Sequence, residues 1–205
     1  MKSRVMGAKG FIIALVLSLN AITLFSQSAV AQQEFFVKPV AEKKLKQLPA
    51  GPLYWRIETF ATLAQAQAAA GEWSLSGEVS GRVWLFTLGP KGGSTPGGSK
   101  VAEIGPLPAI TAPEYLLRIN HAGGPPGAKT PVHSHSGSEA FYVLAGRVGQ
   151  RTPGGVNYAE AGQSMNGHAA GTTMEVFSAG TADLDQLVMF LVDATKPFSS
   201  PAKFE

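Results

Sequence analysis

Hydrophobic and polar positions alternate with a period of two from residue 73 onward. Residues 73–79 (WSLSGEV) alternate, and residues 83–88 form an apolar run of the length of a buried strand. Glycine (24) and proline (14) are frequent between such segments, which is typical of tight turns. At least eight short strands joined in this way predict an all-β sandwich or barrel. The other predicted strands are 101–104, 114–120, 139–150, 156–158, 163–166, 174–177 and 187–192.

The chain before residue 73 has a different pattern. Residues 32–52 are polar and lysine-rich with three prolines, which predicts a mobile arm or a segment lying on the surface. Residues 59–70 are rich in alanine and glutamine, which predicts a short helix with Thr59 as N-cap and Gly71 as C-cap. The predicted organisation is therefore an arm with a short helix at 32–72, a β-barrel at 73–198 and a tail at 199–205. Residues 91–99 predict a flexible loop that is either a solvated hairpin tip or a cover over a cavity.

The first 31 residues predict a secretory signal peptide. Lys2, Arg4 and Lys9 precede an apolar run at 11–25, and Ala29-Val30-Ala31 has the small-x-small pattern of a cleavage site. We expect cleavage after Ala31, a periplasmic or secreted protein, and no membrane association after cleavage. An uncleaved anchor is the alternative, although the run is shorter than the roughly 20 apolar residues of a membrane span.

Charge and cysteine content exclude several classes of function. The leader contains three of the seventeen basic residues and none of the fourteen acidic ones, so the mature chain has no net charge. No basic patch therefore indicates a nucleic-acid partner. The chain has no cysteine, which excludes disulfides, a thiolate nucleophile and a cysteine-based zinc site. A metal ion would have to be bound by histidine, carboxylate or methionine.

Candidate metal ligands are concentrated in residues 127–146, GAKTPVHSHSGSEAFYVLAG. His133 and His135 are two residues apart, so in an extended strand their side chains project from the same face. Glu139 has the same parity, and the intervening Ser-Gly-Ser allows the chain to bring it back to the same point. Two imidazoles and one carboxylate can form a facial triad for a divalent metal, with the opposite coordination positions open.

This spacing resembles the first signature motif of the cupin superfamily, and Gly127, His133, His135, Glu139 and Gly146 match its fixed positions. The resemblance implies a double-stranded β-helix, the jelly-roll or cupin barrel, here with an N-terminal extension that contains the short helix. It also implies a divalent metal ion, of which Fe, Mn, Zn, Ni and Cu are all candidates. Cupins often form dimers, so a homodimer is a further expectation.

The second cupin motif is degenerate in this chain. Its best alignment is residues 162–178, where Met174 stands in place of the usual histidine and Ser178 in place of the asparagine. Three arrangements remain open for a fourth ligand. Waters could complete the site, Met174 could bind through its thioether, which favours copper(I), or His168 could move in from upstream.

The resemblance leaves two main functions open, beside a structural or partner-binding jelly roll whose cavity would be too small or too filled to admit a ligand. The first is a metal-dependent small-molecule enzyme, with dioxygenase chemistry at a facial triad as the leading expectation. The second is a non-catalytic cupin that binds a small ligand or copper. Among other polar residues, Arg118 could bind a substrate carboxylate or form an external salt bridge, and His121 is expected at the surface. Parity with Glu139 predicts that Phe141 faces inward.

Overall fold

The computed structural model describes residues 34–205, so the predicted signal peptide and its cleavage site lie outside the described residues. Within residues 34–205, no helix is long and apolar enough to cross a membrane. The elements in chain order are β1 (Phe36–Leu45), β2 (Tyr54–Phe60), α1 (Leu63–Ala69), β3 (Ser74–Val79), β4 (Arg82–Gly89), β5 (Ser99–Ile104), β6 (Tyr115–Gly124), β7 (His133–His135), β8 (Gly137–Ala145), β9 (Arg147–Thr152), β10 (Gly155–Glu160), β11 (Ser164–Met165), β12 (Glu175–Ser178), β13 (Leu184–Asp193) and β14 (Ser199–Pro201).

A five-stranded sheet forms the centre, with strand order β1-β6-β13-β8-β11 and antiparallel pairing throughout. Successive side chains of a strand project from opposite faces of a sheet. On β13, Leu187 and Met189 pack into one apolar cluster, and Val188 and Phe190 into another. The central sheet is therefore buried on both faces, which explains why residues 187–192 are continuously apolar.

Two further layers cover these faces. A four-stranded sheet, β3-β4-β2-β5, packs on the outer face through Trp55, Ile57, Trp84 and Phe86, all of them fully buried. Each such side chain contributes about 1.5–3 kcal/mol relative to an exposed one. The three-stranded sheet β10-β9-β12 and the pair β14-β7 cover the inner face. The predicted all-β jelly-roll fold with a short helix is confirmed.

The predicted caps of the helix are wrong. Thr59 lies within β2, where it pairs with Trp84 of β4. The N-cap is Thr62, whose hydroxyl accepts a hydrogen bond from the Gln65 N–H at 3.3 Å, and the C-cap is Ala70 rather than Gly71. Sheet pairing of the preceding segment thus overrides the local helical signal.

The predicted arm and tail are also parts of the sheets. Within the predicted arm, residues 36–45 form β1, which pairs with β6 along nearly its whole length, and the predicted tail begins with β14. The loop 91–99 is fixed to the four-stranded sheet, because the Thr95 N–H and hydroxyl donate to the two oxygens of buried Glu58 at 2.7 and 2.6 Å. It does not line the cavity described below.

The predicted long strand 139–150 is divided in two. Gly146, a fixed position of the motif, has a φ of 74° between β8 and β9. A side chain is disfavoured at this φ, and a Cβ at this position would also overlap the backbone of Asp183. The glycine therefore allows β8 to turn into β9, which returns across the inner face.

Candidate functional site

A cavity of about 460 Å³ lies between the inner face of the central sheet and strands β7, β12 and β14. Its volume is within the usual range of small-molecule sites. Most of its wall is apolar, and its titratable side chains come from the motif. The lining residues are Phe35, Val37, Asn120, Ala122, Thr130, Pro131, Val132, His133, His135, Glu139, Phe141, Val176, Gln186, Val188, Phe190, Phe198, Ser199 and Pro201.

His133 and His135 are held on β7 from both sides. His133 exchanges two backbone hydrogen bonds with Met174, at 2.9 and 2.8 Å. On the other edge, Pro201 pairs with His133 and Ser199 with His135. The imidazoles lie side by side, with ring centroids 4.9 Å apart and ring planes at 81°. The predicted same-face arrangement of the two histidines is thus present.

Backbone carbonyls fix the tautomer of both histidines. His133 Nδ1 lies 2.8 Å from the Pro131 carbonyl, and His135 Nδ1 lies 2.7 Å from the Phe198 carbonyl. A carbonyl oxygen can only accept, so Nδ1 carries the hydrogen in each ring. In the neutral rings the lone pair is then on Nε2. This is the arrangement by which backbone carbonyls orient metal-binding histidines in proteins.

Glu139 is buried at the same end of the cavity, and its side chain is only 3% exposed. Its Oε2 lies 3.7 Å from His135 Nε2, and its Oε1 accepts a hydrogen bond from Gln150 Nε2 at 2.6 Å. Burial raises the pKa of Glu139 to about 8, although the bond from Gln150 acts in the opposite direction. Burial lowers the pKa of His135 to about 4. Without a cation, both groups are therefore neutral near pH 7.

The donor types fit a divalent cation, but the triad is only partly assembled. Residues 34–205 contain no group of three or more His, Cys, Asp or Glu side chains spaced to hold a metal ion. His135 approaches Glu139, whereas the carboxylate directs its other oxygen to Gln150. Two imidazole nitrogens and a carboxylate are nevertheless ligands that Fe, Mn, Zn, Ni and Cu accept.

The two alternative ligands do not line the cavity. Met174 is buried, and its sulfur accepts a hydrogen bond from Gln150 Nε2 at 3.4 Å. His168 lies in a separate hollow with Arg151 and Lys203. Met174 therefore reaches the site only through Gln150, and the structure does not bring His168 to the predicted triad.

Three polar residues of the site were not predicted from the sequence as site residues: Gln150, Asn120 and Gln186. Gln150 has the parity of Val148 on β9, and Gln186 has the parity of Val188 on β13. The sequence pattern could not identify two of them, because the predicted strand 139–150 gives Gln150 the opposite parity to Glu139, and Gln186 precedes the predicted strand 187–192.

The remaining predicted polar residues have structural contacts. His121 Nε2 lies 2.6 Å from Asp185 Oδ1, outside the cavity. Arg118 donates from Nε to Asn120 Oδ1 at 2.9 Å and lies 4.5 Å from the centre of the Phe198 ring. Phe141 faces the cavity as predicted. Arg118 thus supports the cavity wall rather than lining it.

No protein-family model matches the chain, and no curated protein matches it. Among solved structures, a cupin-like protein from Thermotoga maritima is similar over 42% of this chain and 64% of its own, with 16% identity and a TM-score of 0.38. The polyketide cyclase RemF from Streptomyces resistomycificus is similar over 43% and 62%, with 19% identity and a TM-score of 0.36. DMSP lyase DddQ from Ruegeria pomeroyi is similar over 42% of each chain, with 19% identity and a TM-score of 0.36.

This chain spans less than two thirds of the length of each of these structures. What the structure itself shows is the all-β fold of antiparallel sheets with a short helix, and membership of the cupin superfamily stays a prediction from residues 127–146.

Proposed function

We propose that this protein is an exported metalloprotein of the cupin type that binds a small, mostly apolar molecule. His133, His135 and Glu139 would hold the divalent ion, which is Fe, Mn, Zn, Ni or Cu. One observation carries the proposal. Both histidines are held by backbone carbonyls at Nδ1, which leaves Nε2 as the ring atom for a metal ion, beside a buried carboxylate at the end of an apolar cavity.

The surrounding residues have separable roles in this proposal. The carbonyls of Pro131 and Phe198 orient the imidazoles, and Gln150 holds Glu139. Glu139 keeps a proton near pH 7 in the absence of a cation and must release it to act as an anionic ligand. The apolar wall excludes water from the bound molecule. When bound, the ion would supply open coordination positions for O₂ or substrate and Lewis acidity.

Oxygenase chemistry is the reaction that we propose for this arrangement. Three ligands on one side of an ion leave room for two reactants, which is the design of facial-triad oxygenases. The apolar cavity suits an oxidisable organic molecule better than a charged one, because a charged group without a partner is costly to bury.

A non-catalytic role is the second candidate. Among the described residues that line the cavity, the only titratable side chains are His133, His135 and Glu139. If all three bind the ion, no separate acid or base remains. The protein would then bind a ligand without turnover.

Binding of copper(I) through Met174 is less favoured, because its sulfur already accepts a hydrogen bond from Gln150. Metal-dependent O₂ uptake in the presence of any small molecule would show that the protein is an enzyme. Reversible binding of that molecule without O₂ uptake would show that it is a non-catalytic binder.

Metal analysis of the purified protein tests the proposal. We expect about one equivalent of a transition metal in the wild type and loss of most of it in His133→Ala/His135→Ala and in Glu139→Gln. The matched controls are His121→Ala and His168→Ala, which remove histidines outside the cavity and should leave the metal content unchanged. Equal metal content in all variants, or none in the wild type after incubation with each candidate ion, would overturn the metal site.

A further inference from the structure

An unpaired amide lies in the cavity wall away from the motif. Gln186 is on β13 and fully buried, and it lines the cavity. Neither its Nε2 nor its Oε1 has a hydrogen-bond partner among the described residues. Buried amides are normally paired, because an unpaired donor or acceptor keeps its full cost of desolvation. This side chain therefore indicates a bound partner that donates and accepts.

Asn120 provides a second amide close by. Asn120 on β6 pairs with Val188 of β13, while Gln186 pairs with Ala122, so the two amides are diagonal neighbours. Diagonal neighbours in adjacent strands lie about 7–8 Å apart. Arg118 already donates to Asn120 Oδ1, so the Asn120 NH₂ is the group that remains for the cavity.

The two amides are separated from the metal ligands by an apolar stretch. Glu139 pairs with Phe190, which is four residues from Gln186 on the same strand. At about 3.3 Å per residue, this spacing is about 13 Å along the sheet. Val188 and Phe141 line the cavity between the two ends. A molecule that reaches both ends must be elongated and apolar in its middle.

The charge of the wall restricts the group that the amides can bind. No lysine, arginine or aspartate is among the described residues that line the cavity. The guanidinium of Arg118, which contacts Asn120, already pairs with Glu42 at 3.5 Å, so a charged group next to Gln186 would be buried without a free counter-charge, which is strongly unfavourable. The group is therefore neutral, and it both donates and accepts hydrogen bonds, as a carboxamide, a lactam or a hydroxyl does.

We propose that Gln186 and Asn120 form a specificity subsite for a neutral hydrogen-bonding group at one end of an elongated, otherwise apolar ligand. The other end of this ligand lies at His133, His135 and Glu139, and this second statement rests on the proposed function. The unpaired amide of Gln186 therefore destabilises the free protein through its desolvation, and hydrogen bonds to the bound ligand offset this destabilisation.

Two matched probes test the subsite. One is a hydroxamic acid joined through six methylenes to a primary amide, and the other has an isopropyl group in place of the amide. The ratio of their dissociation constants is measured for the wild type, Gln186→Leu and Asn120→Asp. Asn120→Asp keeps the acceptor for Arg118 and removes the NH₂ donor. Gln163→Leu is the control, since the side chain of this exposed glutamine accepts a hydrogen bond from the Glu160 N–H, outside the cavity.

We expect the wild type to prefer the amide probe and this preference to fall about tenfold in Gln186→Leu and in Asn120→Asp, which is the factor for one lost hydrogen bond. Gln186→Leu should also raise the Tm of the free protein by roughly 2–4 °C, because it removes a buried unpaired amide. Gln163→Leu should change neither quantity.

An unchanged probe preference in both cavity variants would overturn the subsite. So would a lower Tm in Gln186→Leu with an unchanged preference, because the amide would then be satisfied within the free protein. Each measurement is repeated after removal of metal with a chelator. If the metal site is absent, chelation leaves both dissociation constants unchanged while the amide preference still depends on Gln186, so the two proposals fail independently.

Discussion

At the scale of single residues, the site depends on buried groups whose charge differs between the folded and unfolded chain. Glu139 keeps its proton up to a pH of about 8 in the folded protein, whereas the unfolded chain releases it near 4.5. Between these values the folded state binds more protons, so the free energy of unfolding falls as the pH rises. His135 acts in the opposite direction below about pH 6.5, because burial lowers its pKa to about 4. The contribution of Glu139 is therefore isolated between pH 6.5 and 8.

We predict that the metal-free protein loses stability from pH 6.5 to pH 8 and that Glu139→Gln removes most of this loss. The variant keeps the size of the side chain and an acceptor for Gln150, but it cannot titrate. Urea unfolding at several pH values in the presence of a chelator measures the effect. Glu160→Gln, a change of an exposed carboxylate, is the control. The same slope in wild type and Glu139→Gln would contradict the prediction.

The sequence predicted His133, His135 and Glu139 because their spacing alone places them on one face. It could not predict Gln150 or Gln186 as members of the site. Their inward orientation follows from the register of β9 and β13, and a glutamine in a strand has the same local pattern on either face. Gln150 is distinguished by its hydrogen bond to Glu139, and Gln186 by having no hydrogen-bond partner among the described residues. Both features depend on segments that are distant in sequence, so no local pattern contains them.

At the scale of elements, β14 is important because it completes the environment of the histidines. Ser199–Pro201 pair with His133–His135, and the Phe198 carbonyl accepts the His135 Nδ1–H. Residues 199–205 were predicted to be a tail because three strand residues have no recognisable periodicity. Their partner lies about 65 residues away in sequence, so only the folded chain brings the two strands together.

Removal of β14 should weaken metal binding more than it affects the fold. We predict that deletion of residues 198–205 lowers metal affinity by about 10–100-fold, the usual effect of losing a group that orients a ligand histidine. Competition with a chromogenic chelator measures the affinity. Deletion of residues 203–205 alone retains β14 and serves as the control. Equal affinities for the two deletions would show that β14 does not orient His135.

At the scale of the whole molecule, the largest apolar core and the binding cavity lie on opposite faces of the central sheet. The central sheet places its large aromatic and aliphatic core against the outer four-stranded sheet, which leaves the inner face free to form a cavity. Alternation and turn composition predicted strands and a jelly roll. They did not predict that residues 36–104 would add β1 to the central sheet and build the outer layer, because pairing partners are set by contacts between distant segments.

The position of β1 also bears on the expected homodimer. A dimer could form if the predicted N-terminal arm crossed to a partner chain, but β1, the first strand of that arm, pairs with β6 of its own chain. β1 is an edge strand that carries Lys38, Lys43 and Lys44 and a bulge at Pro39, features that oppose pairing with another edge. A homodimer remains a prediction, and these features disfavour this edge as its interface.

Export is the prediction that concerns the chain as a whole. We expect that the protein expressed in a Gram-negative host is recovered from the periplasm with Gln32 as its first residue. Cleavage removes Lys2, Arg4 and Lys9, so the net charge falls from +3 to zero, and both the intact mass and the isoelectric point change.

A large residue in place of Ala31 should block cleavage, because the processing site requires small residues. Ala31→Leu is therefore expected to retain the leader and its positive charge, while the control Ala61→Leu, a change at an exposed position far from the cleavage site, is processed normally. Recovery of the wild type in the membrane fraction with residues 1–31 intact would instead establish the uncleaved anchor. In that case the metal and ligand sites, all of which lie beyond residue 34, would be held at the membrane surface rather than released.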